Sequence, residues 1–337
     1  MKVKENLVIL KFLKLYGKYE NKAFRIFSVI GTLILLRKFF KVLNELIPWH
    51  YFKNCSPQRY GEGSWALITG TTNDLGRALA YALAQRGFSL CLLGRNYEKL
   101  NNLKLELQGS FKNIFIHTIT IDFQDSLDQY FLESIQNEID DLDISIMVNN
   151  VGGGIIDNFT EIKEKKIKEF LLVTSLPLIK LCHYILKKMK LRKNKKSAII
   201  NVSSIAGLYP CPYFSVYSSL EAFIDMFSRS LAKEAGKDID ILSVRPFLVA
   251  KSVSVLGKLF GFITPSECAQ SILSKVGVFN VSYGHWKHVL QGNILEIIPD
   301  IFKKMFFKFL GPYILKKEKE HRQRSARINL QFDNNQF

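Results

Sequence analysis

From residue 64 onward the chain alternates short apolar runs with longer stretches whose apolar residues recur every three or four positions. Trp65–Thr69 is a compact apolar run closed by Gly70, the pattern of a strand buried on both faces. A helical period follows at Leu75, Ala78, Leu79, Ala82 and Leu83. Phe88–Leu93 predicts a second strand, Glu98–Leu107 a helix, Ile114–Ile121 a third strand and Ile144–Val148 a fourth. Ile162–Lys190 reads as largely helical, kinked at Pro177, whose ring excludes an interior helical hydrogen bond. Ala198–Val202 predicts a fifth strand. Phe214–Ala235 predicts a long helix striped by Leu220, Phe223, Phe227 and Leu231, and Ile239–Val244 a sixth strand. Strand–helix alternation of this kind implies an α/β, Rossmann-type, doubly wound parallel sheet over residues 61–297.

The two ends have a different pattern. Residues 1–60 hold twelve Lys/Arg against three acidic residues, mixed with apolar clusters. Ile26–Leu36 is uncharged for eleven residues and bounded by Arg25 and Arg37-Lys38. A spanning helix needs ~20 apolar residues, so this run predicts a membrane-embedded hairpin or an interfacial helix with cationic flanks. Charges before the run and the lack of a small-residue cleavage site argue against a signal peptide. A packing arm of a soluble protein is the alternative. Residues 298–317 set Phe302, Met305, Phe306, Phe309 and Leu310 against Lys303, Lys304 and Lys308, a basic amphipathic helix and a second candidate membrane contact. Residues 318–337 are polar and are expected to be disordered.

Charge narrows the partners. The net charge is +17 over 337 residues, spread over both ends and the loops. It suits an anionic membrane face or a phosphorylated ligand such as an acyl-CoA. No zinc-finger or single-strand-binding signature is present, so nucleic acid is not expected. The five cysteines are scattered without a C-x-x-C pair, as reduced buried thiols are. His285 and His288 have no cysteine or carboxylate partner at ligand spacing, and no metal site is expected.

Candidate chemistry begins at the first strand. Thr69-Gly70-Thr-Thr72-Asn-Asp74-Leu75-Gly76 leads from strand to helix, a geometry in which backbone N–H groups and a helix N-terminus cradle a pyrophosphate. The loop is similar to the Thr-Gly-x-x-x-Gly-x-Gly of classical short-chain dehydrogenases, with Asp74 in place of the middle glycine. A negative side chain there is expected to weaken phosphate binding unless Asp74 or Asn73 caps the helix. Arg95 follows the second strand, where a cation suits the 2′-phosphate of NADP. Asp122, after the third strand, resembles the family's adenine-contacting acid. Asn149-Asn150-Val151-Gly152, after the fourth, resembles its Asn-Asn-x-Gly element, which supports the sheet and lines the cofactor cleft. These matches occur in order over residues 64–250.

The resemblance also implies a catalytic set. Tyr217 lies thirteen residues after Ser204 and opens Tyr-Ser-Ser-Leu-Glu. In the family this Tyr is the acid/base, the Ser holds the substrate oxygen, a Lys four residues on lowers the Tyr pKa, and an Asn on the preceding long helix serves a proton relay. Here the Lys position is Glu221 and the Asn position falls at Thr174. A cation ~5 Å from a phenolate stabilises it by roughly 3 kcal/mol at an effective dielectric of ~20. An anion reverses the sign, so the Tyr217 pKa is expected to rise and the rate to fall. After Arg245-Pro246, on the nicotinamide side, the family's Gly and Thr are absent. The run is Phe247-Leu-Val-Ala-Lys251-Ser252, with Ser252 a weak substitute.

Gly63–Gly70, Asn149–Gly152, Leu208-Tyr-Pro-Cys-Pro212, Thr264-Pro-Ser-Glu-Cys268 and Gly284…His288 resemble one membrane-bound branch. It contains very-long-chain 3-oxoacyl-CoA reductases, 17β-hydroxysteroid dehydrogenases and inactive hydroxysteroid-dehydrogenase-like members. The resemblance implies an NADP(H)-dependent oxidoreductase of lipid metabolism at the endoplasmic reticulum membrane. Its substrate would be a 3-oxoacyl-CoA or a steroid, with apolar walls from Leu208–Phe214 and residues 253–263. It also implies a homodimer through the two long helices. The altered catalytic set implies the alternative of an inactive NADP(H)- or lipid-binding scaffold.

Overall fold

The computed structural model describes residues 2–47, 55–250 and 261–334. Residues up to Ile47 form one unit and those from Pro48 a second. The first unit is a single helix, α1 (Lys2–Leu46), not a hairpin. Phe27, Val29, Ile30, Leu33, Ile34 and Leu35 of its apolar run are all exposed. At about 100° per residue they point to every side of α1 and do not form the one-sided stripe of an interfacial helix.

In the second unit a short helix, α2 (Pro57–Tyr60), precedes β1 (Trp65–Thr69), α3 (Asp74–Ala84), β2 (Ser89–Gly94), α4 (Tyr97–Ser110) and β3 (Ile116–Thr120). Then come α5 (Tyr130–Ile139), β4 (Ile144–Asn149), α6 (Glu164–Thr174), α7 (Leu176–Leu191), β5 (Ser197–Val202), α8 (Ser215–Glu234) and β6 (Ile239–Val244). The chain closes with α9 (Pro265–Lys275), β7 (Val281–Ser282), α10 (Trp286–Ile297) and α11 (Asp300–Asn334).

The strands form one seven-stranded parallel sheet in the order β3-β2-β1-β4-β5-β6-β7. Successive strand residues point to opposite faces, and both faces are covered. Ile68, Leu90, Leu92 and Val148 pack with Leu79 and Leu83 of α3 and Ile272 of α9. Leu67, Cys91, Met147 and Ile199 pack with Ile135 of α5, Leu181 and Ile185 of α7, and Ile224 of α8. This double burial is why the strands read as continuous apolar runs. The order reverses between β1 and β4, which opens a crevice at their C-terminal ends.

The expected long helix over Ile162–Lys190 is two helices. The break falls at Ser175, and Pro177 sits in the first turn of α7, where its missing N–H costs nothing. Residues 164–191 are the one described helical stretch apolar and long enough to cross a membrane. Leu178, Leu181, Cys182, Ile185 and Met189 of its α7 half are buried against the sheet, so α7 is a core element, while α6 buries only Thr174. Helix α11 continues through Asn334. The apolar pattern did not separate out α5, α9, α10 or the two-residue β7.

Candidate active site

The turn after β1 is shaped by two glycines. Gly70 has φ 67°, a conformation side chains resist. A Cβ on Gly76 would collide with the Gly70 carbonyl oxygen, so no other residue lets α3 approach β1. Asn73 caps α3, its Oδ1 accepting from the Gly76 N–H at 2.7 Å. Of the two expected caps it is therefore Asn73 that acts. Asp74 is the first helical residue and is exposed. Thr72 packs over Gly94, its Cγ2 3.3 Å from where a Cβ would be, and half-buried Leu75 packs on the core.

The Asn-Asn doublet divides its work. Asn149 is 4% exposed and turns under the sheet, where its Nδ2 donates to Asn201 Oδ1 at 2.7 Å and to Cys182 Sγ at 3.3 Å. Asn201 in turn donates to Ser228 at 2.8 Å. The Asn149 side chain thus supports the sheet, tying β4 to β5 and α8. Asn150, which the sequence pattern did not single out, faces the turn. Its Nδ2 reaches Gly70 O at 3.3 Å and Asn73 Oδ1 at 3.2 Å, and its N–H donates to Thr69 Oγ1 at 3.0 Å. The doublet itself was the available signal. Val151 lies 3.1 Å from a Cβ built on Gly70, and Gly152 has open space beside it.

Arg95 is exposed just beyond β2. The Asp122 carboxylate accepts from the Gln124 N–H at 3.0 Å, capping the turn at Phe123–Leu127. Pro246 is buried, and its carbonyl accepts from the Ile205 N–H at 3.1 Å, which seats the Ser204 turn on the end of β6. Arg245 beside it forms a two-pronged pair with Asp225 of α8, each bond 2.7 Å.

Ser204 follows β5, and its Oγ accepts from the Ala206 N–H at 3.2 Å. Tyr217 lies in the first turn of α8, and the Ser204 hydroxyl acts to lower its pKa. Glu221 is one turn further along the same face and is 5% exposed. Burial pushes the Tyr217 phenol well above its ordinary value, and Glu221 pushes it further. Burial pushes the Glu221 carboxyl up to about 8, against hydrogen bonding from Ser203 and Tyr217. Glu221 Oε2 has no hydrogen-bond partner among the described residues. Near neutral pH this residue is therefore mostly an uncharged acid, and the expected anionic repulsion is largely defused.

Thr174 ends α6 and is buried, but its Oγ1 makes no hydrogen bond among the described residues, to the Ser204–Tyr217–Glu221 group or elsewhere. Ser252 and residues 253–260 of the expected apolar wall lie outside the described residues. The His288 Nδ1 accepts from the Phe247 N–H at 3.2 Å, and burial lowers its pKa to about 3. No cluster of three metal-ligating side chains occurs among the described residues.

A doubly wound parallel sheet with a glycine turn at its switch point and a Ser–Tyr pair on the same edge defines a nucleotide-binding α/β protein. Residues 64–255 match the family described as short chain dehydrogenase. The chain belongs to that family. Within it, the chain resembles the very-long-chain 3-oxoacyl-CoA reductase branch. The Mus musculus very-long-chain 3-oxoacyl-CoA reductase is 33% identical over 254 residues, 74% of this chain and 78% of the relative. Hydroxysteroid dehydrogenase-like protein 1 of Gallus gallus is 30% identical over 273 residues, 79% of this chain and 80% of the relative. Among solved structures, a 7beta-hydroxysteroid dehydrogenase superposes with TM-score 0.64 at 21% identity, covering 72% of this chain and 94% of that one. L-sorbose reductase from Gluconobacter frateurii, complexed with NADPH and L-sorbose, gives 0.57 at 23% identity, covering 67% and 97%. These two likenesses bear on the fold alone.

Proposed function

We propose that the chain is an NADP(H)-linked oxidoreductase of lipid metabolism that reduces the ketone of a 3-oxoacyl-CoA or a steroid. One observation carries the reading: Ser204, just after β5, and Tyr217, in the first turn of α8, stand at the same sheet edge as the Gly70–Gly76 turn. The names of the relatives support the substrate class.

The cradle fits a dinucleotide in backbone shape, since Gly70 takes the positive φ of the turn, Gly76 lets α3 start close against β1, and the space beside Gly152 is open. It departs from the fit in charge, because Asp74 stands at the helix N-terminus. Gly70, Thr72, Leu75 and Gly76 would hold the phosphates. Arg95 would take the 2′-phosphate, Asp122 and Val151 the adenosine, and Gly152 and Pro246 the nicotinamide side. The bound cofactor supplies hydride. Tyr217 donates the proton to the forming alkoxide, Ser204 orients the ketone oxygen, and Glu221 accepts from ribose hydroxyls. Apolar α1 and basic α11 supply attachment to the endoplasmic reticulum membrane, and a homodimer through α7 and α8 accompanies it.

Glu221 favours a second reading. A raised phenol with no lysine beside it is a poor proton donor, so the chain would be a silent NADP(H)- or lipid-binding scaffold. The test is NADPH oxidation by detergent-solubilised protein with a long-chain 3-oxoacyl-CoA, alongside Glu221→Lys. Turnover by the unaltered chain supports the enzyme. Activity gained only with Glu221→Lys supports the silent reading, with position 221 as the lost function. Silence in both, with NADPH still bound, leaves the scaffold as the function.

A further inference from the structure

Helix α11 presents two apolar faces. The inner one is packed: Phe307 stacks on Tyr209 with ring centroids 5.9 Å apart, and a Cβ on Gly311 would stand 2.8 Å from the Pro212 carbonyl oxygen. Lys303 lies over the Tyr209 ring at 5.3 Å. The outer face carries Ile301, Phe302, Met305, Phe306, Phe309 and Tyr313, each about half exposed or more. At about 100° per residue these six fall within an arc of ~140° that excludes Phe307 and Gly311. Exposed Lys304 and Lys308 lie along one margin of the arc and Lys317 along the other.

We infer that this outer face docks on an anionic lipid surface. A continuous exposed apolar strip of this size marks an interaction site. Aromatic and aliphatic side chains between lysine margins match the headgroup boundary, where the ammonium groups reach lipid phosphates and the stems stay in the apolar layer. Protein interfaces are depleted in lysine. A second copy would bring these margins of like charge together.

The docking has a consequence for the site. The inner face of α11 holds the loop 208–214, and Phe214 of that loop lies 6.0 Å from the Tyr217 ring, centroid to centroid. A bilayer under α11 therefore sets the wall beside Tyr217 at the lipid surface, where an apolar substrate partitions. The docking deepens the membrane attachment proposed above by naming its face and lipid charge, and its functional meaning rests on the lipid-substrate reading.

The experiment uses the full chain carrying Cys211→Ser and Phe309→Cys, labelled at position 309 with an environment-sensitive fluorophore. It is mixed with vesicles of phosphatidylcholine alone or with phosphatidylserine. The expected result is a blue shift with phosphatidylserine vesicles and protection from aqueous iodide. Lys304→Glu with Lys308→Glu should raise the lipid concentration for half the shift by on the order of tenfold. Flotation with vesicles but no shift at position 309 overturns the proposal, since attachment then lies elsewhere in the chain. No flotation overturns it as well. A shift that grows with protein concentration in the absence of vesicles overturns it in favour of a second copy. NADPH turnover in detergent is read separately, so failure of the catalytic reading is not confused with failure of docking.

Discussion

The Tyr217 phenol and the Glu221 carboxyl share one face of α8, one turn apart, and both are raised by burial. The family's lysine at this place would hold the phenol down. The acid that replaces it keeps its own proton near neutral pH, so the pair is close to uncharged.

That proton has a consequence for stability. Burial raises the Glu221 pKa from 4.5 to about 8, so between those values the folded chain keeps a proton that the unfolded chain has lost. The contribution is complete below 4.5 and is lost as pH rises toward 8. Glu221→Gln should therefore raise the melting temperature at about pH 8 to 9 and change it little at about pH 5. The gain should be on the order of 2–4 kcal/mol. Thermal melts of both proteins across pH check it; an equal effect at both ends would show that Glu221 does not titrate in this window.

Asp74→Gly should move two readouts in opposite directions. Removing the carboxylate from the phosphate cradle should tighten NADPH binding by about threefold to tenfold. The same change removes an acid from the first turn of α3 and adds backbone freedom, which costs about 1 kcal/mol of stability. Cofactor titration and urea unfolding on one preparation separate the two effects.

Arg95→Glu tests the choice of cofactor. Arg95 is exposed beyond β2, and in the proposed site it would pair with a phosphate that NADPH has and NADH lacks. The NADPH dissociation constant should rise about tenfold or more while that of NADH stays within about twofold. Equal losses for both would remove Arg95 from the 2′-phosphate site.

Gly311→Ala tests the clasp between α11 and the loop 208–214. In an isolated helix the substitution gains about 1 kcal/mol. Here the added Cβ would stand 2.8 Å from the Pro212 backbone oxygen, so a net loss of about 1–2 kcal/mol is expected. Chemical denaturation gives the sign, and limited proteolysis within 208–214 shows whether the loop is released.

Much of this was legible along the chain because it depends on near neighbours. The run Trp65–Thr69 closed by Gly70, the helical stripe after Gly76 and the strand Ile239–Val244 are local patterns, and the sheet follows from their alternation. The Ser204–Tyr217 spacing was legible for the same reason, since loop and helix are consecutive. Tertiary structure decided the rest. Adjacent strand residues face opposite ways, so Asn149 went under the sheet and Asn150 to the glycine turn; only the packed neighbours fix which is which. β7 is two residues long and exists through its pairing with Ser243 and Val244 of β6. The charge state of Glu221 was beyond the sequence as well, because a carboxyl takes its pKa from the burial around it, and burial is a property of the whole fold.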